Sequence, residues 1–576
     1  MKKTGAALAR FALEQLGVRY TFGIPGVHNT ELYDELNNSA LIKPVLVTHE
    51  CGGAFMADAV SRTGDSIGTL LIVPAAGVTH ASSGIGEAYL AGIPMLVISG
   101  GIHTENGRRY QLHEMDQHTL LSPITKGSFH IKSHNEVIPT LYTAYQLAMR
   151  GEPGPVFVEL PYNIGNFLGE VDSMPAFAGL EGALTFDKTL VKQAAQLLTA
   201  AKRAGFFLGW GAVDCQADLL ELAELLNAPV ATTLQGLSAF PGNHPLHTGM
   251  GFGGYSVPAG QNAFAQCDAL LAIGTRFAEI PTGSFSMQVP DDLIHIDINP
   301  QVFNANYPAK IALQGDARCI VPALLAEVRA LQLPMKQADI AEQIKQDKAA
   351  YQQEWFAHKS ADRVNPARFF QALRQQLSDD AIIVADDGNH TYLVAELMPI
   401  LAARGYISPT DFNAMGYCVP AVIGAKLANP QTTVVGIVGD GALLMTGMEM
   451  LTAVRHQLGV VVFIFNDGEL SQIAQAQEIP YNRKTCTVLQ AIQMQSLAAA
   501  VGAQFVSINS DADIESGICQ ALLFAANNQP VYVDVNIDYS KRTRFTQGIV
   551  KATLKRFAPR DKFRVISRAL IRKITG

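Results

Sequence analysis

Residues 432–473 read TTVVGIVGDGALLMTGMEMLTAVRHQLGVVVFIFNDGELSQI. Thr433–Val438 is a short β-rich run, and Val460–Phe465 is uninterrupted and apolar. Such runs suit strands of a parallel sheet buried on both faces. The pattern between them predicts a helix, with Thr446 and Glu449 at capping-box spacing at its start and Gly459 at its end. Strand, helix and strand make a βαβ unit with a right-handed crossover. Gly439-Asp440-Gly441 follows the first strand and Asn466-Asp467-Gly468 the second. Both tips fall at the carboxyl edge of the sheet, where open α/β folds bind ligands. Two carboxylates at one edge repel unless a cation lies between them. Oxygen ligands suit Mg²⁺ or Ca²⁺, and Mg²⁺ often shares its site with phosphate oxygens. Glycines let backbone N–H groups approach those oxygens. The reading is a magnesium-bridged diphosphate.

At 576 residues the chain is too long for a single core, and three or four domains are expected. Hydrophobic content of 48% and charged content of 16% fit a large, well-buried globular enzyme. Arg10 and Glu14 interrupt the apolar N-terminal pattern, which reads as a first domain helix rather than a signal peptide. No run reaches the ~18 apolar residues of a membrane span. Seven cysteines without a Cys-x-x-Cys pair argue for neither a zinc centre nor a disulfide framework, and for a reduced, cytoplasmic setting.

The segment 432–473 resembles the signature of thiamine-diphosphate (ThDP) enzymes: Gly-Asp-Gly, then under thirty residues, then Asn-Asn. The resemblance implies metal ligation by Asp440, by Asp467 and by the backbone carbonyl of Glu469, with Asp467 where Asn is usual. It implies that Gly439, Gly441 and Ala442 line the diphosphate. Gly388-Asn389-His390 is similar to a Gly-Gln-His-like turn of the family that meets the same group. Asn413-Ala414-Met415-Gly416 resembles its Gly-x-Met-Gly, in which Met wedges between the cofactor rings.

Upstream, FGIPG (22–26) followed by HECGGAFMADAVSR (49–62) looks like the pyrimidine-binding unit of acetolactate-synthase-type members. There Glu50 would bond N1′ of the aminopyrimidine, with Gly26 and Val27 at the turn beside it. The bland alternative for Glu50 is a helix-dipole partner. His113 stands where the family has a substrate-facing Gln and becomes a candidate proton donor. His80 replaces an Asn of the family's Gly-Pro-Gly-Ala-x-Asn. LLAIGTRF (270–277) and IHIDINP (294–300) resemble central-domain segments that hold FAD or a nucleotide in some members. Gly209-x-Gly211 does not decide for FAD, and Arg276 reads equally as a phosphate partner or a surface ion pair.

The expected architecture is therefore α/β, with three doubly wound parallel-sheet domains: a pyrimidine-binding unit at 1–164, a central unit at 186–335 and a diphosphate-binding unit at 366–540. A basic tail, 541–576, holds twelve Lys/Arg against Asp561 alone, a balance of +11 that leaves −19 for the rest of a chain of net charge −8. Val550, Leu554 and Phe557 share one helical face, Pro559 is expected to break the helix, and Phe563, Ile566, Leu570, Ile571 and Ile574 form a second stripe opposite Arg564, Arg568, Arg572 and Lys573. Such a helix suits an anionic membrane surface, making the protein cytoplasmic and peripheral; a solvated arm is the alternative. Few aromatics and no binding fold argue against nucleic acid.

Taken together, the resemblance implies a ThDP- and Mg²⁺-dependent transferase or lyase. Such an enzyme generates an enamine-carbanion from a 2-oxo acid and passes the acyl unit to a carbonyl acceptor. Gln472 and Ile473 should flank the cofactor. The family's substrate-selecting Trp falls on Ala476, which implies an enlarged, hydrophobic or lipid-accepting pocket. Ile473 replaces a decarboxylase Glu, which disfavours simple aldehyde release. A membrane-attached pyruvate-oxidase-like enzyme, a 2-oxo acid decarboxylase and a non-catalytic regulatory protein are the alternatives. Because one subunit's pyrimidine unit normally meets another's diphosphate unit, a homodimer or homotetramer is expected.

Overall fold

A computed structural model describes residues 1–180, 182, 185–332, 339–548 and 557–575. Its frame is three six-stranded sheets in which every neighbouring pair is parallel. The first sheet runs Lys43–Leu46, Tyr20–Gly23, Gly68–Ile72, Met95–Gly101, Pro155–Pro161, Gly127–His130. The central sheet runs His247–Met250, Val230–Thr232, Ala204–Leu208, Ala269–Ile273, Asp292–Asp297, Ile311–Gln314. The third runs Tyr406–Ile407, Ile382–Ala385, Val434–Gly439, Val460–Asn466, Val531–Asn536, Gln504–Ile508. Numbered along the chain, the first and third sheets share the order 2-1-3-4-6-5, while the central sheet is 3-2-1-4-5-6.

A crevice opens where the strand order reverses. In the first sheet this lies between Tyr20–Gly23 and Gly68–Ile72, and in the third between Ile382–Ala385 and Val434–Gly439. In the central sheet it lies between Ala204–Leu208 and Ala269–Ile273. The turns singled out in the sequence follow these strands.

The βαβ unit forms as expected, with Val434–Gly439 and Val460–Asn466 adjacent and parallel and Val460–Phe465 fully buried. Its helix starts differently. It begins at Asp440, directly off the strand, and the predicted capping box at Thr446 does not form. Both side chains are engaged elsewhere: the Thr446 hydroxyl donates to the Gly416 carbonyl (2.6 Å), and Glu449 accepts from the Thr48 backbone N–H (2.9 Å) and hydroxyl. The helical run stops at Arg455, short of Gly459. Gly459 is needed for close approach, since a Cβ there would lie 1.9 Å from the Ala525 carbonyl oxygen. An antiparallel ribbon of Lys2–Thr4 with Leu168–Glu170 was not foreseen.

The first and third sheets meet through two helices, Glu50–Thr63 and Cys418–Ala428, both almost wholly buried. Gly424 permits the contact, because a Cβ there would lie 2.3 Å from the Met56 carbonyl oxygen. Beside it, Arg62 pairs with Asp58 (2.7 Å) at 1% and 0% side-chain exposure, and the Tyr417 hydroxyl donates to Asp58 (2.6 Å). Glu87, also buried, accepts from the backbone N–H groups of Thr410 (3.0 Å) and Ala414 (3.2 Å).

In the tail, Val550 and Leu554 lie outside the described residues. The expected upstream helix falls outside the described residues, and residues 557–558 are non-helical. Pro559 then opens the helix Pro559–Thr575, at the position where its missing N–H costs nothing. This helix lies against Ser471–Tyr481: Asn482 Nδ2 donates to the Arg572 carbonyl (3.2 Å), and the Arg572 guanidinium sits 5.2 Å from the Tyr481 ring centre. Phe563, Leu570 and Ile571 remain exposed. Among the described residues no helix is long and apolar enough to cross a membrane.

Replacing Gly424 by Val should cost about 1–3 kcal/mol by overpacking and lower the unfolding temperature, read by calorimetry. A second expectation concerns pH. Burial pushes the Glu87 carboxyl up to about 8, with Arg62 opposing and Asp58 reinforcing. The native chain therefore keeps a proton that the unfolded chain releases near 4.5. The stability this brings is complete below that value and fades as pH rises through about 8. Glu87→Gln should flatten that decline, and melts across the range check it; parallel curves would count against the assignment.

Candidate functional site

At the edge of the third sheet, Asp440 is the first residue of its helix and Asp467 follows the next strand. Asp440 Oδ1 accepts from the Gly441 N–H (2.9 Å) and Oδ2 from the Gly468 N–H (2.8 Å), so the two tips are stitched together. Burial, and then the charge of Asp467, push the Asp440 carboxyl up to about 6. Burial likewise raises Asp467, which bonds to the Ser471 hydroxyl. The Glu469 side chain turns away to Lys484 (2.6 and 2.7 Å), which leaves its backbone as the group it could offer. An all-oxygen set strained by like charge fits a hard divalent cation.

The preceding strand delivers Asp386, a residue to which the sequence reading gave no role. Its buried carboxylate accepts from the N–H groups of Gly416 (2.9 Å), Cys418 (2.8 Å) and Asp387 (2.9 Å). It thereby fixes the loop that carries Asn413, Ala414 and Met415. Gly388, Asn389 and His390 open the helix Asn389–Leu397. Gly388 has φ +153°, and a Cβ there would lie 2.6 Å from the His390 ring. His390 is buried, its imidazole is pushed down to about 3 by burial, and its Nε2 lacks a hydrogen-bond partner. Its ring faces Gly439, where a Cβ would stand 3.2 Å away. An orphaned polar atom beside two glycine turns and an acidic pair fits a metal-bound diphosphate. Asn413 sits at φ +57°, in the left-handed region that Asn tolerates better than most residues, so it can stand where the family has Gly. Met415 is half-buried against the core.

At the first sheet, Glu50 is the first residue of its helix and is 6% exposed. Its Oε2 lies 3.0 Å from His80 Nδ1, and the His80 ring stacks on His49 at 4.7 Å. The Gly26 N–H donates to Asn29 Oδ1 (2.7 Å), and Val27 is exposed. His113 adopts φ +65° and pairs with His28, Nδ1 to Nδ1 at 3.3 Å. His28 was missed because nothing marks it until the fold brings the two imidazoles together. Among the described residues, no hydrogen bond or ion pair links Glu50 to Asp440, Asp467 or the Gly388 turn. On the helix Ser471–Tyr481, Gln472 is half-buried with Oε1 unpartnered, while Ile473 and Ala476 face solvent.

At the central switch point a cavity of about 420 Å³ is lined by Gly211, Gly274, Thr275, Arg276, Asp297 and Gly315, among others. That size falls in the range of small-molecule sites. Arg276 is held by Asp411 (2.7 Å), Glu152 (3.6 Å) and the Leu90 carbonyl, so it is already neutralised and is not a free phosphate partner.

Three family descriptions match the chain in order. They are the thiamine pyrophosphate enzyme N-terminal TPP binding domain over residues 2–120, the central domain over 191–324 and the C-terminal TPP binding domain over 386–535. Full-length relatives are similar throughout. The acetolactate synthase isozyme 3 large subunit of Escherichia coli (strain K12) is 31% identical over 553 residues, covering 93% of this chain and 95% of that protein. The probable acetolactate synthase large subunit of Methanocaldococcus jannaschii is 32% identical over 552 residues, covering 93% and 92%. The acetolactate synthase large subunit of Haemophilus influenzae is 30% identical over 554 residues, covering 94% and 96%.

The left-handed turn before Met415 makes its own prediction. Asn413→Val should cost about 1–2 kcal/mol, whereas Asn413→Gly should be neutral or stabilising. Equilibrium denaturation of the two variants tests this, and equal losses would count against it.

Proposed function

We propose that this chain, which belongs to the thiamine pyrophosphate enzymes and within them to the acetolactate synthase group, is a carboligase that joins the acyl unit of a 2-oxo acid to a carbonyl acceptor. The observation that carries the reading is the stitched Asp440–Asp467 pair, both carboxyls raised by burial and Asp440 further by Asp467, beside the orphaned His390 nitrogen. Asp440, Asp467 and the Glu469 carbonyl would hold Mg²⁺. Gly388, Asn389, His390, Gly439, Gly441 and Ala442 would cradle the diphosphate, with Met415 and Asn413 shaping the space between the rings. ThDP, when bound, supplies the nucleophilic carbon that takes up the acyl unit and tolerates loss of CO₂.

The chain's own residues set the protons. Glu50 would hold N1′ of the pyrimidine, and His80 fixes its Oε2 at 3.0 Å. His113 and His28, whose Nδ1 atoms lie 3.3 Å apart, form a proton-sharing pair suited to general acid–base work at the substrate side. Gly26, Val27 and Ile473 would border the cofactor, with Gln472 beside its reacting end. The small Ala476 supports an acceptor larger than a short 2-oxo acid; equal or lower activity with long-chain than with short acceptors would count against that.

A homodimer or homotetramer is supported by Leu444, Met445, Met448 and Leu451, exposed by 38–58% next to the Asp440 turn. This is the face across which a partner's Glu50 would arrive. For the tail, exposed Phe563, Leu570 and Ile571 beside Arg564 and Arg568 support a peripheral lipid contact as a second reading.

Asp440→Asn should abolish the rise in unfolding temperature that ThDP with Mg²⁺ gives the wild type. Glu50→Gln should keep that rise and lower kcat about 10²–10⁴-fold. An unchanged kcat in Glu50→Gln would overturn its assignment. The absorption spectrum of the purified protein addresses the central cavity: a flavin band would favour the oxidase or a flavin-retaining synthase, and its absence would leave a carboligase or lyase.

A further inference from the structure

A second cluster of ligating side chains lies at the opposite edge of the first sheet from the strand that leads to Glu50. Glu159 belongs to the strand Pro155–Pro161, and its register partner on the edge strand Gly127–His130 is His130. His118, on the short helix Gln117–Leu121, leans over the same strand. His118 Nε2 lies 3.1 Å from Glu159 Oε2, and His130 Nδ1 lies 3.5 Å from Glu159 Oε1. All three ligand atoms lie within 4.8 Å of one another. Ligands of a tetrahedral ion bound at about 2.1 Å stand ~3.4 Å apart, so small side-chain shifts would close the set.

Hydrogen bonds around the cluster hold its rings and its carboxylate in place. His118 Nδ1 bonds to the Ser128 hydroxyl, one residue pair along the same face of the edge strand. Its Nε2 is buried and makes no hydrogen bond, although a carboxylate oxygen is its neighbour. In the tautomer whose Nδ1–H donates to Ser128, the Nε2 lone pair faces the Glu159 carboxylate, and a cation between them turns that repulsion into ligation. Glu159 is itself oriented from behind. Gln117 Nε2 donates to its Oε2 (2.9 Å), and Gly101 leaves room for it, since a Cβ there would lie 2.5 Å from Oε1. The imidazoles are about one-third exposed, so an ion has a way in and a fourth position is open to water.

We propose that His118, His130 and Glu159 form a second cation site, for a zinc-class divalent transition metal, distinct from the Asp440–Asp467 pair. Two imidazole nitrogens and one carboxylate select such a metal over Mg²⁺, which prefers oxygen throughout. The site also reaches the Glu50 region. Gln117, which braces Glu159, accepts through Oε1 from the Ala75 N–H (3.3 Å) at φ +55°, the residue that starts the His80 helix. Occupancy would stiffen that turn.

The test uses full-length protein saturated with ThDP and Mg²⁺, equilibrated with buffered free Zn²⁺ and counted by elemental mass spectrometry. One zinc per chain is expected. His130→Asn and Glu159→Gln should weaken it roughly tenfold or more, since even a ligand's supporting partner costs that much. His80→Asn should not, which separates this site from His49, Glu50 and His80, the other trio with ligand atoms within 4.8 Å. Cobalt(II) in place of zinc should give visible bands without a sulfur-to-cobalt transition from the exposed Cys486 or Cys519. Equal zinc uptake by wild type and His130→Asn, or loss with His80→Asn alone, would overturn the proposal and leave an imidazole–carboxylate ion pair only. If Glu159→Gln fails to fold, the edge-strand variant His130→Asn carries the test.

Discussion

The contact of Glu50–Thr63 with Cys418–Ala428 sets the geometry of everything else. Two helices that are buried nearly all round cannot exist on a surface. They exist because each covers one sheet and then packs on the other. Gly424 brings the backbones to within a side chain's thickness at Met56. The Asp58–Arg62 pair and the Tyr417 hydroxyl fill the polar remainder. A buried pair of this kind adds little net stability but penalises any other alignment, because a shifted register would strand a charge. The Glu50 turn and the loop carrying Met415 are both anchored, at their far ends, to this one seam.

The chain concentrates electrostatic cost at strand ends and beside the seam. Asp386, Asp387, Asp440 and Glu87 are all held above the ordinary carboxylate range by burial. Asp386 and Glu87 are repaid by backbone N–H groups and act as structural staples. Asp440 is repaid only in part, because Asp467 opposes it. That difference separates a carboxylate that completes the fold from one that awaits a ligand, and it follows from partners rather than from burial.

The sequence was most legible where chemistry and topology coincide. The 432–473 stretch announces its strands by composition and its turns by Gly-Asp-Gly and Asn-Asp-Gly, so the βαβ unit and its acidic tips were readable from spacing alone. The helix start was not. Thr446 and Glu449 satisfy a local capping rule, yet Gly416 and Thr48, remote in sequence, claim both side chains. Pro559 does mark a helix boundary: the chain is non-helical at 557–558 and a helix begins at the proline itself. Asp386, His28 and Gln117 carried no motif, and their importance comes from partners that only the fold supplies. The ring nitrogen of His390 could be placed near the diphosphate by resemblance, but its lack of a partner is visible only in three dimensions.

The first and third sheets share one strand order, and the central sheet has another. For a chain still being synthesised, two halves of identical topology are an invitation to misassembly, in which strands of one half pair with the other. Here the look-alike sheets are separated by an intervening domain that cannot substitute for either. The first sheet can close before the last strands of the third have left the ribosome. The chain order thus puts a whole domain of different topology between the synthesis of the two alike sheets, whether or not its cavity holds a nucleotide.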